Sequence, residues 1–99
     1  MDNAMTRDLQ VTFRSGRLLA AYLRFNREDR KKSVRTARKP DGMIVDYDDN
    51  GLPIGIEFIA PSKVTLTGVN TLLSELKQEP ASLDEIWPLI PQGATTTAA

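Results

Sequence analysis

Apolar and polar residues alternate with a period of two along the first part of the chain and switch to a spacing of three and four after it. Leu9, Val11 and Phe13 interleave with Gln10, Thr12 and Arg14, which places the apolar set on one face of a strand. Ser15-Gly16 reads as a turn. Leu19, Ala21, Leu23 and Phe25, alternating with Ala20, Tyr22 and Arg24, predict a second strand that pairs with the first as a hairpin and turns this apolar set to the core. Asn26 to Lys32 has no periodic apolar positions and is expected to be a solvated loop. A weaker strand is expected over Ser33 to Lys39. Pro40-Asp41-Gly42 is a turn signal, since proline presets φ and glycine accepts positive φ.

Met43, Val45 and Tyr47 alternate with Ile44, Asp46 and Asp48; beyond Asp49-Asn50-Gly51, Ile54, Ile56 and Phe58 alternate with Gly55 and Glu57. An Asn-Gly pair between two such runs predicts a hairpin. Leu66, Val69, Leu72, Leu73 and Leu76 then form the stripe of an amphipathic helix, which Pro80 is expected to end. Ser82 with Glu85 three residues later is a capping box for a short second helix that Pro88 stops at about Trp87. Gln92 to Ala99 is small and polar and is expected to fray. The predicted fold is α+β: a small, largely antiparallel sheet of four to five strands in a hairpin and meander, with a C-terminal amphipathic helix on one face. Residues 1–91 are expected to form a single domain and 92–99 a disordered tail.

Composition changes this picture mainly by subtraction. The 99 residues include 40% hydrophobic and 26% charged ones, ordinary values for one globular domain. Cysteine is absent, which removes disulfides, thiolate ligands and thiol nucleophiles and fits a reducing compartment. Histidine is absent too, and with it the commonest general base and transition-metal ligand. No stretch approaches the ~18 apolar residues of a spanning helix, and Met1 to Leu9 lacks the apolar run of a secretion signal. The expected location is cytoplasmic, away from membranes.

The formal charge sums to zero but is unevenly placed. From Arg14 to Lys39 ten basic residues face two acidic ones, a net +8; from Pro40 onward two basic residues face nine acidic ones, a net −7. Such asymmetry points to a polyanionic partner, or to halves that face each other across the fold or across a dimer. Arg24, Arg27, Arg30, Lys31, Lys32, Arg35 and Arg38 are therefore the candidate surface for a nucleic acid or a protein partner, since Arg and Lys neutralise phosphates with little demand on geometry. Phe25, on the core face, and Glu28 and Asp29, within the run, weigh against nucleic acid. Trp87, Leu89 and Ile90 either fold back over the sheet or dock on a second chain.

Asp46, Asp48, Asn50, Gly51 and Glu57 match the calcium-loop pattern position by position. That loop needs a helix on each side to aim its oxygens inward, whereas both flanks here alternate as strands and Pro53 falls inside it. Asp46, Asp48 and Asp49 remain weak candidates for a hard cation, yet the pattern sets Asp46 and Asp48 on the solvent face with no adjacent acid or base. No metal, cofactor or catalytic residue is assigned.

The run Ala20-Ala21-Tyr22-Leu23-Arg24-Phe25, followed by Gly42-Met43-Ile44-Val45-Asp46-Tyr47-Asp48-Asp49-Asn50-Gly51 and Gly55-Ile56-Glu57-Phe58-Ile59-Ala60, resembles the bacterial family called "domain of unknown function 2283" over Leu9 to Ser62. The 26–32 loop is longer and more basic than usual for that family, and the Trp87 segment falls outside it. The resemblance implies a small sheet-plus-helix protein with no catalytic residues to carry over, and for some members a small toxin-like partner. The expected function is a non-enzymatic protein-interaction module that forms a homodimer or holds another small protein. Nucleic-acid binding through residues 24–39 is the alternative, and a divalent-metal hydrolase the third reading.

The calcium question has a direct check. Calcium is expected to leave the melting temperature of wild type and of Glu57→Gln alike unmoved; a calcium-dependent rise of several degrees in wild type alone would reinstate the calcium loop.

Overall fold

The period-two segments become five strands: β1 (Asp8–Arg14), β2 (Arg17–Arg24), β3 (Arg35–Lys39), β4 (Met43–Tyr47) and β5 (Pro53–Phe58). The computed structural model describes residues 6–90. All neighbours are antiparallel, in the order β1-β2-β5-β4-β3. The chain thus lays down a hairpin, β1–β2, and a meander, β3–β4–β5, and the β2–β5 pairing (Ala21 opposite Phe58, Leu23 opposite Ile56) joins them. Helix α1 (Leu66–Glu75) covers one face of the sheet, followed by the short α2 (Leu83–Ile86). The fold is the expected small α+β one, and among the described residues no helix is long and apolar enough to cross a membrane.

Two of the turns define where the sequence chemistry is used. Between β3 and β4, Asp41 and Gly42 take φ of 64° and 74°, the paired positive values of a type I′ turn. Gly42 is also sterically required, because a Cβ there would lie 2.6 Å from the Cβ of Ala60. The β4–β5 turn is built differently from the expected Asn-Gly centre. Gly51 N–H donates to the Asp48 carbonyl at 3.0 Å and Asp48 N–H to the Leu52 carbonyl at 2.9 Å, so Asp49-Asn50 form the centre. Gly51 follows in the left-handed region at φ 80°. Strands on both sides settle the geometry against a calcium loop, and Glu57 sits along β5 opposite Ile44.

Leu23, Val45, Ile56 and Phe58 from the sheet are fully buried against Val69 and Leu73 of α1 and against Ile86. Two positions depart from simple alternation. Thr12 pairs with Ala20 and Phe13 with Leu18, so Leu19 is the extra residue of a bulge and is 45% exposed instead of facing the core. Asp46 pairs with Gly55 and Tyr47 with Pro53, so Ile54 is skipped in the same way. Phe13, expected on the apolar face, stays on that face but is 57% exposed because β1 is an edge that α1 does not reach over.

Thr65 caps α1 by accepting from Gly68 N–H at 3.0 Å. The helix stops before Pro80. Lys77 enters the left-handed region at φ 59°, Gln78 N–H donates to the Leu73 carbonyl at 2.8 Å and Lys77 N–H to that of Ser74 at 3.1 Å, a Schellman ending with lysine where glycine is usual. The side-chain amide of Asn70 brackets Ala81, donating to its carbonyl at 3.1 Å and accepting from its N–H at 2.7 Å. Half of the predicted capping box forms: Ser82 Oγ accepts from Glu85 N–H at 3.3 Å.

The other half is diverted. The Glu85 carboxylate takes a bidentate pair from Arg7, Nε to Oε2 at 2.7 Å and Nη2 to Oε1 at 2.9 Å. Arg7 also donates to the carbonyls of Glu79 at 2.6 Å and Pro80 at 3.1 Å, with its side chain only 1% exposed. The segment thus held brings Leu89 and Ile90 into the core, which removes them from the candidate interface; Trp87 alone of that trio stays outside, 41% exposed. The expected tail, Gln92 to Ala99, lies outside the described residues.

Replacing Arg7 by Met is expected to cost about 3 kcal/mol, since it strands a largely buried carboxylate and two carbonyls, and Arg7→Lys should recover only part because an ammonium cannot make the fork. Urea unfolding midpoints of the three proteins check this; an unchanged midpoint for Arg7→Met would show that the clamp adds nothing to stability.

Candidate functional site

Helix α1 covers one face of the sheet and leaves the other open. Register places two cross-strand rows on the open face: Gln10, Tyr22, Glu57, Ile44 and Arg38 in one, and Asp8, Arg24, Gly55, Asp46 and Thr36 in the other. The 26–32 loop is solvated as expected, exposed at every position but Asp29, and it runs beside this face. Asn26 and Asp29 drive the turn, with Asn26 Oδ1 accepting from Glu28 N–H at 3.0 Å and Asp29 Oδ1 from Lys31 N–H at 2.9 Å. Between the loop and the sheet lies a cleft of about 520 Å³ whose lining includes Tyr22, Arg24, Arg30, Lys31, Lys32 and Asp46. The skipped Ile54 contributes its apolar side chain to the same cleft.

Tyr22 forms the floor. Its ring lies over Gly55, where a Cβ would sit 2.4 Å from the phenol oxygen and 2.5 Å from Cζ, so only glycine lets the ring lean across β5. The phenol thereby comes close to the Asp46 carboxylate on β4. Burial of the phenol, reinforced by the negative charge of Asp46, pushes its pKa far above the ordinary tyrosine value. Arg24 stands over the ring with Cζ 5.5 Å from its centroid and donates to the Asp29 carbonyl at 3.5 Å, tying the loop to the sheet.

The basic candidates divide. Arg24, Arg30, Lys31 and Lys32 converge on the cleft. Lys31 pairs with Asp48 at 3.4 Å, whereas among the described residues neither Arg30 nor Lys32 has an ion-pair partner. Arg35 lies on the helix face, stacked on the Tyr47 ring at 4.0 Å. Arg38 is on the open face but three strands from Tyr22, roughly 14 Å at the usual strand spacing. Arg27 is exposed, and its N–H closes onto the Thr6 carbonyl at 2.7 Å.

The carboxylates divide too. Asp48, expected on the solvent face, is buried: Oδ1 accepts from Asn50 N–H at 2.8 Å and Leu52 N–H at 3.0 Å, and Oδ2 faces Lys31. The Leu52 and Asn50 amides, with the Lys31 ammonium, hold its carboxyl below the usual range against the opposing effect of burial. Asp46 is committed to Tyr22, and Asp49 is exposed at the tip. Among the described residues no three acidic side chains come close enough to share an ion, and no buried side-chain nitrogen or oxygen lacks a hydrogen bond.

Sequence reasoning singled out the 24–39 cations but missed the Tyr22–Gly55–Asp46 arrangement and Arg7. The signal for the former was Gly55 inside a strand, which marks a close approach; Arg7 left no local signal. No family model, curated protein or solved structure matches the chain.

The Tyr22–Asp46 contact predicts an alkaline signature. A raised folded-state value means that the stability it adds is fully present below the unfolded tyrosine pKa near 10 and is lost as pH rises through the folded value. Ultraviolet titration should therefore show one phenol resisting ionisation past pH ~10, and Asp46→Asn should bring it down, short of the ordinary value because burial remains. An unchanged titration in Asp46→Asn would show that the carboxylate plays no part.

Proposed function

We propose that this chain is a non-enzymatic, cytoplasmic protein-interaction module that self-associates, and that its cleft grips an acidic segment of a partner protein. The observation that carries the second part is the convergence of Arg24, Arg30, Lys31 and Lys32 on one cleft, with Arg30 and Lys32 in no ion pair among the described residues. Asp29 and Asp46 share the cleft, so its positive charge is modest and local. That balance suits one or two carboxylates of a peptide, seated over the neutral floor of Tyr22, Gln10 and Ile54.

Nucleic acid is the weaker reading because a phosphate chain needs a continuous track of cations. Arg27, Arg35 and Arg38 lie away from the cleft, and Tyr22 is committed to Asp46 and Arg24 rather than free to stack on a base. The opposed charges of the two halves are used partly inside the fold, through Lys31–Asp48 and Lys39–Glu75, the latter at 3.7 Å. A small toxin-like protein, the partner implied by the family resemblance, is one form that the acidic segment's owner could take.

Fluorescence anisotropy with a labelled poly-glutamate peptide and with single-stranded DNA tests the cleft. The peptide should bind in 50 mM salt, and reversing both of those cations (Arg30→Glu with Lys32→Glu) should weaken it by roughly tenfold or more. DNA bound more tightly than the peptide, with a steep salt dependence, would transfer the site to the nucleic-acid reading; binding of neither would remove the cleft as a recognition surface.

A further inference from the structure

The sheet ends in two edges that meet solvent differently. β3 reads Arg-Thr-Ala-Arg-Lys, three cations of the kind that keep an edge from accepting another strand. β1 carries charge only at its two ends, Asp8 and Arg14, and its last five residues are all exposed. Among them Val11 is 36% and Phe13 57% exposed, on the apolar face beside the partly buried Leu9.

The backbone of β1 is also set for pairing. Phe25 N–H, at the end of β2, donates toward β5, to the Ile54 carbonyl at 3.1 Å. By strand alternation Arg24, Tyr22 and Ala20 turn their backbone groups to β1, where they meet Asp8, Gln10 and Thr12. Leu9, Val11 and Phe13 are left with their N–H and C=O groups pointing off the sheet.

We propose that two copies of this chain associate by antiparallel pairing of their β1 strands, centred on Val11, to make one continuous ten-stranded sheet. Run against itself about Val11, the strand sets Asp8 opposite Arg14, Leu9 opposite Phe13 and Gln10 opposite Thr12, so that both ends close with unlike charges, one face of the middle with the apolar Leu9–Phe13 and Val11–Val11 pairs and the other with the polar Gln10–Thr12 pairs. Outward backbone groups on odd residues restrict pairing to registers that join odd with odd. A shift by two residues in either direction sets Asp8 against Thr12 or Arg14 against Gln10 and leaves a charge unopposed. Directly opposed residues share a face, so the α1 helices of both copies lie on the same side and the exposed Phe13 is covered by Leu9 of the second copy. This deepens the self-association reading and rests on it, not on the cleft.

Because the chain has no cysteine, single-cysteine variants report the register cleanly. Opposed residues in such a pair stand about 5.5 Å apart at Cα, within disulfide reach. Val11→Cys should oxidise to a covalent dimer, Leu9→Cys and Phe13→Cys should not do so alone, and a mixture of those two should. Asp8→Arg and Arg14→Asp should each weaken dimerisation in low-salt sedimentation by severalfold, and the double variant should restore it, with circular dichroism confirming that each is folded. Cross-linking of Phe13→Cys alone, or a double variant no better than the singles, would overturn the register while leaving self-association standing. A wild type that sediments as a monomer at high concentration would overturn both.

Discussion

The Arg7 guanidinium is the contact on which the lower half of the molecule depends. It is buried, and burial of an unpaired cation is too costly to persist, so it makes four hydrogen bonds, two to Glu85 and one each to the carbonyls of Glu79 and Pro80. Those acceptors lie on the segment that follows α1. Holding them fixes where α2 begins, and α2 in turn delivers Ile86, Leu89 and Ile90 to the core. The same segment is gripped from the other side by Asn70, whose amide treats Ala81 as a strand neighbour would. A chain of this size has little apolar area to spare, and these two polar brackets turn a loop into part of the core's wall.

With α1 on one face, the opposite face is available, and its character is set by what the strands happen to leave there. Gly55 permits Tyr22 to cross a strand; Tyr22 then comes close to Asp46 and supports Arg24; Arg24 holds the 26–32 loop down. The cleft exists because each of these steps supplies the surface for the next. Most of its positive charge comes from the loop, through Arg30, Lys31 and Lys32, while the sheet supplies Arg24, Asp46 and the floor.

Most of the fold was legible because it rests on periodicity and turn chemistry, which are local. The alternation of Met43, Val45 and Tyr47 and the spacing of Val69, Leu72 and Leu73 each name an element and its buried side without reference to anything distant. Positions where the account failed depend on contacts across the chain. Leu19 is turned out by a bulge that only the β1–β2 register reveals. Lys77 ends α1 in a conformation that propensity assigns to glycine. Glu85 satisfies the capping-box pattern yet gives its carboxylate to a residue 78 positions away. For the site, the cations were visible as composition, but which of them converge follows from how Asn26 and Asp29 fold the loop.

The order of strands carries a kinetic consequence. The hairpin β1–β2 and the meander β3–β4–β5 close through neighbouring residues, and three tight turns let each assemble early and independently. Uniting them requires Ala21 to find Phe58 and Leu23 to find Ile56 across more than thirty residues, and that loop closure is the entropic toll of the whole topology. The central pair of strands therefore carries the costliest closure of the fold, with the basic loop between β2 and β3 crossing it like a strap.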